Sequence, residues 1–189
     1  MAIVQSPTAE EATGVVAEIY AGDIRDQGFV AAHTRALSLN PQAYLAWEEL
    51  IRAIASPMGK RRYELVTLAA AKGAASVHCR LAHGRKSLGL FDENTLVAIA
   101  TDYHSAPLTG AEIAMMEFAE RVSVDAAGMT DADSQNLRDM GFTDREIVDI
   151  ALAAAARNFY SRAIQALAVE VEPPEELSDR LTHALVDGL

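Results

Sequence analysis

The apolar and polar positions of this chain alternate with helical rather than strand periodicity, and the pattern reads as helix after helix. Ala, Leu, Glu and Arg dominate, and runs of alternating Val, Ile and Thr joined by Asn-Gly turns are missing, so a sheet is not expected. Start signals are frequent. Ser6-Pro7 and Asn40-Pro41 each offer an N-cap followed by proline at the first helical position. Thr109-x-x-Glu112 and Thr143-x-x-Glu146 are capping boxes, and Thr130 is followed by Asp131 and Asp133, acid where a helix dipole is positive. Stop signals alternate with these at Gly28, Gly59, Gly73, Gly89, Gly128 and Gly141. The expectation is nine or ten helices of modest length, over 8–26, 31–39, 41–56, 60–73, 76–88, 92–104, 109–126, 130–140, 144–168 and 174–187. Pro173-Pro174 reads as a break before a terminal helix rather than a domain boundary. The stripe Leu45, Leu50, Ile51 and Ile54, and the run Met115-Met116 with Phe118, read as packing faces.

Composition narrows the class. The 189 residues suit a single domain, taken as 1–189, and half of them are apolar, which is enough to build a core without staples. The formal charge is −11, from 16 Lys and Arg against 27 Asp and Glu. Nucleic acid and anionic membrane both call for a basic face, so neither is expected as a partner. The single cysteine, Cys79, forms no intramolecular disulfide, which points to a reducing, cytoplasmic setting. The first ten residues lack the pattern of a signal peptide, and no apolar run approaches the length of a membrane span.

A weak internal echo runs through the chain. Arg62 to Ala69 resembles Asp144 to Ala151, with Glu64 aligned on Glu146, and Leu88 to Asp92 resembles Met140 to Asp144. Either two similar helical halves or the chance likeness of Ala-rich helices accounts for it. Extended, the first register sets Ser161 opposite Cys79 and Gln165 opposite His83, so that only the first half carries chemistry.

The chemistry concentrates between Glu64 and His83. Gly73-Ala74-Ala75 reads as a turn between two helices, Ser76 as the N-cap of the second, and Cys79 as its third residue. The unpaired amides of a helix start favour a thiolate there. His83 lies four residues on, on the same face, with its side chain leaning back toward the sulfur. A short turn packs the preceding helix antiparallel, which brings Glu64 toward His83. The three then form a nucleophile, a base and an orienting carboxylate. His78 points about 100° away around the helix.

In its spacing, the stretch resembles the core motif of the alkylhydroperoxidase D and carboxymuconolactone decarboxylase superfamily, in its peroxidase-related branch. That motif runs Glu, eleven residues, Cys, two residues, Cys, three residues, His, often with a His before the second Cys. Glu64 matches the acid, Ser76 the first Cys, His78 the intervening His, Cys79 the second Cys and His83 the last His. The flanking segments Gly14 to Tyr20, Gly28 to Val30, Leu88 to Leu90 and Asn158 to Arg162 are similar and in the expected order. The resemblance implies an all-α alkylhydroperoxidase D-like bundle, a homo-oligomer, no cofactor, and reduction of hydrogen peroxide or organic hydroperoxides at the second Cys. In such peroxidases Glu and His relay the proton, and the first Cys resolves the sulfenic acid as a disulfide that an external dithiol reduces.

Ser76 stands where the first Cys is expected, and an alcohol forms no disulfide. The first half-reaction survives on paper, with Ser76 capping the helix or donating to a Cys79 thiolate. Recycling then calls for an outside thiol or a partner subunit's thiol, with over-oxidation as a hazard. Two alternatives use the same scaffold: a decarboxylase-like lyase with Glu64 and His83 as an acid–base pair, or a non-catalytic oligomeric binding protein. The bland readings are a small buried Cys79, a plain N-cap at Ser76 and a first-turn acid at Glu64. Glu64, His78, Cys79 and His83 are all zinc-ligand types, but their helical directions diverge and no metal site is expected. His33, His104 and His183 read as structural, and Lys60-Arg61-Arg62 as a solvated or paired basic cluster.

Overall fold

The computed structural model describes residues 3–171 and 173–189. They form ten α-helices and one 3-10 turn, with no strand among the described residues: α1 Gly14–Gln27, α2 Ala32–Leu37, α3 Pro41–Met58, α4 Lys60–Gly73, α5 Val77–Ser87, α6 Glu93–Asp102, α7 Gly110–Asp125, the 3-10 turn Ala126–Gly128, α8 Asp131–Asp139, α9 Asp144–Ala166 and α10 Asp179–Val186. Eight of the predicted spans agree to within about two residues at each end.

The two terminal helices are shorter than expected, for local reasons. The first helix starts at Gly14, not at residue 8. Thr8 and Glu11 close a small capping box of their own, with Thr8 N–H on Glu11 Oε2 at 2.9 Å and Glu11 N–H on Thr8 Oγ1 at 3.3 Å. Gly14, at φ +56°, sets the chain off again in a new direction. At the other end a turn, Leu177 N–H to Pro174 O, precedes α10, and Ser178 is the true N-cap, accepting from Leu181 N–H.

The described residues fall into two compact units, one within 1–52 and 162–171, the other within 53–161 and 173–189. In the first, Ile19, Tyr20 and Tyr44 form a small core flanked by Val16, Val30 and Leu37. Tyr20 O–H donates to Pro7 O at 3.2 Å, and Asp23 Oδ2 accepts the Ala31 N–H at 2.9 Å. The predicted α3 stripe is only partly a packing face: Ile54 is buried, whereas Leu45 and Leu50 are exposed.

The second unit is organised around α4. Every residue from Tyr63 to Ala71 is buried, so this helix is apolar nearly all round, as a central helix must be. It packs on α5 and α7, while α10 lies on α5 and α6. Met115 and Met116 of α7 are fully buried, as their pattern predicts. Small residues let α7 come close: a Cβ on Gly73 would sit 2.8 Å from both Glu120 O and Ser123 Cβ. Gly73 is therefore the last residue of α4, retained for close approach, and not a stop signal. The stop is a Schellman motif on Ala75, at φ +49°: Ser76 N–H reaches Ala71 O and Ala75 N–H reaches Lys72 O, both at 2.9 Å. This turn fixes the start of α5. In the basic first turn of α4, Arg61 pairs with Glu112 at 2.6 Å and Arg62 with Glu146 at 2.5 Å.

Candidate functional site

Three helices of the second unit supply the site. Ser76 caps α5, its Oγ accepting the Cys79 N–H at 3.4 Å. Cys79 thus occupies the third helical position, facing inward and 1% exposed. His83 follows one turn later, where side chains four apart sit with Cβ atoms about 6 Å from one another. Glu64, from α4, meets it: His83 Nδ1–H donates to Glu64 Oε2 at 2.6 Å. Tyr63 packs edge-on against the imidazole, ring centroids 6.2 Å apart.

The sulfur's own hydrogen bonds come from α9. Ser161 O–H donates to Cys79 Sγ at 3.2 Å and Arg157 Nη1–H at 3.5 Å. The guanidinium also lies 5.6 Å from the centroid of the Tyr160 ring and hydrogen-bonds Tyr63. Glu64, His83, Arg157, Ser161 and Ser76 are all buried. His78, beside Cys79 in the chain, is half-buried and within electrostatic reach of Arg157 and Lys86.

The structure therefore brings Glu64 and His83 into contact and sets Cys79 one helical turn from them, with Ser76 beneath its amide. Of the two readings of Ser76 the structure shows the N-cap, its oxygen accepting the Cys79 amide, and the hydroxyl that donates to the sulfur is that of Ser161. Sequence reasoning left the second half of the chain without a part, yet α9 delivers two groups to Cys79. Ser161 is the residue that the 82-residue echo sets opposite Cys79, and the two touch. Arg157 stands in the sequence only as a lone charge ending the run Ala153 to Ala156. Tyr63 and Tyr160 lie in segments singled out by the echo and by the family likeness, without a role of their own.

Electrostatics select one protonation pattern. Burial drives the His83 pKa far below its ordinary value, Arg157 pushes it further, and the Glu64 contact only partly restores it. Burial alone would raise the Glu64 carboxyl, but His83, Lys86 and Arg157 outweigh it and the net shift is downward. Near neutral pH the pair is thus a carboxylate accepting from a neutral imidazole, which leaves Nε2 as the nitrogen for proton transfer. Burial, with Arg157 and Lys86, lowers His78 to about 4. Among the described residues no group of three or more His, Cys, Asp or Glu is placed to hold a metal ion. Among the described residues no helix is long and apolar enough to cross a membrane.

These shifts predict acid sensitivity. Both histidines have folded-state pKa values below the unfolded value of about 6.5, so the unfolded chain binds more protons as pH falls through that value. Stability should be fully present above it and decline below, at up to about 1.4 kcal/mol per pH unit for a fully buried histidine and less for half-buried His78. The depressed Glu64 adds a loss of the same sign at lower pH. Urea midpoints at pH 7 and pH 5 check this, and equal midpoints would contradict it.

No family model matches the sequence, and no curated protein matches it. Solved structures do. An uncharacterised peroxidase-related protein from Ralstonia eutropha JMP134, described as an alkylhydroperoxidase AhpD core, superposes with a TM-score of 0.78 at 21% identity, over 98% of this chain and 96% of its own. An uncharacterised peroxidase-related protein from Silicibacter sp. TM1040 gives 0.79 at 23%, over 95% of each chain. The debrominase Bmp8, as a cysteine-to-alanine variant in complex with 2,3,4-tribromopyrrole, gives 0.76 at 15%, over 99% of this chain and 98% of its own. At these identities the likeness speaks for the fold, and proteins with different activities share it.

Proposed function

We propose that this chain, whose helical fold is that of the alkylhydroperoxidase D-like proteins, is a cofactor-free thiol peroxidase with Cys79 as its single peroxidatic cysteine. The observation that carries the reading is the buried Glu64–His83 hydrogen bond one helical turn from a sulfur that is itself held by polar groups. A core built only for stability has no need of a buried carboxylate, imidazole, guanidinium and thiol in one place, each of which is costly to desolvate.

In the reaction the thiol proton passes to His83 Nε2, directly or through one water, while Glu64 holds the ring by Nδ1. The sulfur attacks a peroxide oxygen: the S–O bond forms, the O–O bond breaks, and the leaving alkoxide or hydroxide takes the proton from His83. Cys79 is oxidised to the sulfenic acid and the peroxide is reduced to alcohol or water. Ser76 caps the helix, and His78 is a half-buried polar neighbour. With no resolving cysteine in the chain, two equivalents of an external thiol return the sulfenic acid to the thiol, the first forming a mixed disulfide with loss of water. The enclosure of the sulfur, 1% exposed, favours hydrogen peroxide over bulky organic hydroperoxides. A cytoplasmic homo-oligomer, the assembly implied by the resemblance, is part of the proposal.

The test is peroxide titration followed by intact mass, with trapping of the sulfenic acid by a dione reagent. One oxygen should add at Cys79, none in Cys79→Ser, and His83→Ala should slow the addition roughly 10²–10⁴-fold. A wild-type thiol that takes up no oxygen defeats the proposal. One observation favours a second reading. The Glu64–His83 pair is complete without the sulfur, so it could serve a decarboxylase-like lyase, whose activity would survive Cys79→Ala but not His83→Ala.

A further inference from the structure

We infer that Arg157 and Ser161 of α9 are the residues that hold the Cys79 sulfur as an anion, and that His83 supplies proton transfer but not the compensating charge. The inference takes the peroxidase reading for its consequence, a faster first half-reaction, but the ionisation it describes is independent of what the sulfur then attacks.

The geometry separates the two roles. Glu64 engages His83 through Nδ1 at 2.6 Å, and the ring, neutral until it takes a proton in the reaction, offers the resting sulfur no charge. The cation in contact with the sulfur is Arg157, at 3.5 Å, and the hydroxyl aimed at it is Ser161, at 3.2 Å and fully buried. Arg157 touches two weak acids, the Cys79 thiol and the Tyr63 phenol. The phenol is pushed to higher pKa by its own burial. A thiol is in any case the more acidic of the two by about 1.5 pH units in ordinary peptides. Of the two, only the sulfur also faces the Ser161 hydroxyl, at 3.2 Å, so the pair of donors converges on Cys79. The same two donors suit the product, since a sulfenate oxygen or sulfur accepts the bonds the thiolate did.

The charged and titratable groups around the sulfur are Tyr63 and Glu64 from α4, His78, His83 and Lys86 from α5, and Arg157 from α9. A change confined to Arg157 or Ser161 can be read against the others. Cys79 is the only cysteine, so the ultraviolet absorbance of thiolate, followed against pH with Cys79→Ser as the blank, reports this one group without any reagent reaching it. In Arg157→Gln the thiolate signal should require a pH higher by about one unit or more, and in Ser161→Ala by a smaller amount, whereas Arg157→Lys should stay close to wild type. Oxidation by hydrogen peroxide at pH 7 should fall at least about tenfold in Arg157→Gln, in step with the thiolate fraction. Ser161→Ala removes one hydroxyl from a packed helix and decides the matter if Arg157→Gln does not fold. A folded Arg157→Gln, or failing that a folded Ser161→Ala, whose thiolate titration superposes on wild type overturns the inference. If the titration moves as expected while peroxide leaves the wild-type sulfur untouched, the anion-holding pair stands and the peroxidase reading falls.

Discussion

Ser161→Cys will turn the one-cysteine site into a two-cysteine site. On one equivalent of hydrogen peroxide the variant should lose both free thiols and end lighter by two hydrogens, where wild type instead gains an oxygen. The reason is position. The Ser161 Oγ already lies 3.2 Å from Cys79 Sγ, so a sulfur on that side chain starts within reach of the short, specific bond of a disulfide. On the proposed peroxidase reading, peroxide converts Cys79 to the sulfenic acid, the new thiol attacks its sulfur, and water leaves. The bond links α5 to α9 across 82 residues, and by loop entropy it should raise the stability of the oxidised form by up to about 4 kcal/mol. Mass spectrometry before and after a dithiol reductant, with a thiol count, checks the cycle. Ser76→Cys, which restores the motif spacing, is the comparison. Its side chain is turned to the Cys79 amide, so it must change rotamer before it can resolve anything, and its disulfide should form more slowly. If Ser161→Cys instead runs on to sulfinic acid with its second thiol intact, the meeting of α9 and the sulfur has been misread.

Arg80→Met is expected to cost roughly 3–5 kcal/mol of stability. Arg80 follows Cys79 directly, yet its side chain turns the other way, into the core, where it is 2% exposed. Its Nε donates to Leu185 O at 3.0 Å, Nη2 to Ala100 O at 2.8 Å and Nη1 to Leu68 O at 3.4 Å. Leu185 and Ala100 lie in the last turns of α10 and α6, where carbonyls have no helical partner and the dipole is negative. One planar cation thus satisfies the ends of two helices and touches a third. Burial brings its pKa down to about 10, partly opposed by Glu120, so it remains charged at neutral pH. Methionine fills much of the space but leaves the two helix-end carbonyls buried without a donor. For a chain of this size the melting temperature should fall by roughly 10 °C. A urea midpoint shifted by less than about 1 kcal/mol would mean that α10 is held by its apolar side, Leu181 and Leu185, alone.

Arg80 and Arg157 mark the boundary between what could and could not be read along the chain. The capping boxes at Thr109 and Thr143, the helix start at Thr130, the Ser76 cap and the inward register of Cys79 and His83 were all legible, because each depends on residues within four positions of one another. Glu64 was within reach because one tight turn joins its helix to the next. Where the same local logic failed, at residues 8 to 13 and 174 to 178, a competing cap of equal quality lay nearby, Thr8 with Glu11 at one end and Ser178 with Leu181 at the other. The helical class, the order of helices and the Glu64–Cys79–His83 register follow from periodicity and short-range hydrogen bonding, which act within a turn or two of backbone. The identity of the groups on the sulfur was settled by packing. Arg157 and Ser161 reach Cys79 from 78 and 82 residues away, and that approach is set by how buried helices fit together, an interaction that leaves no mark in the spacing of neighbouring residues.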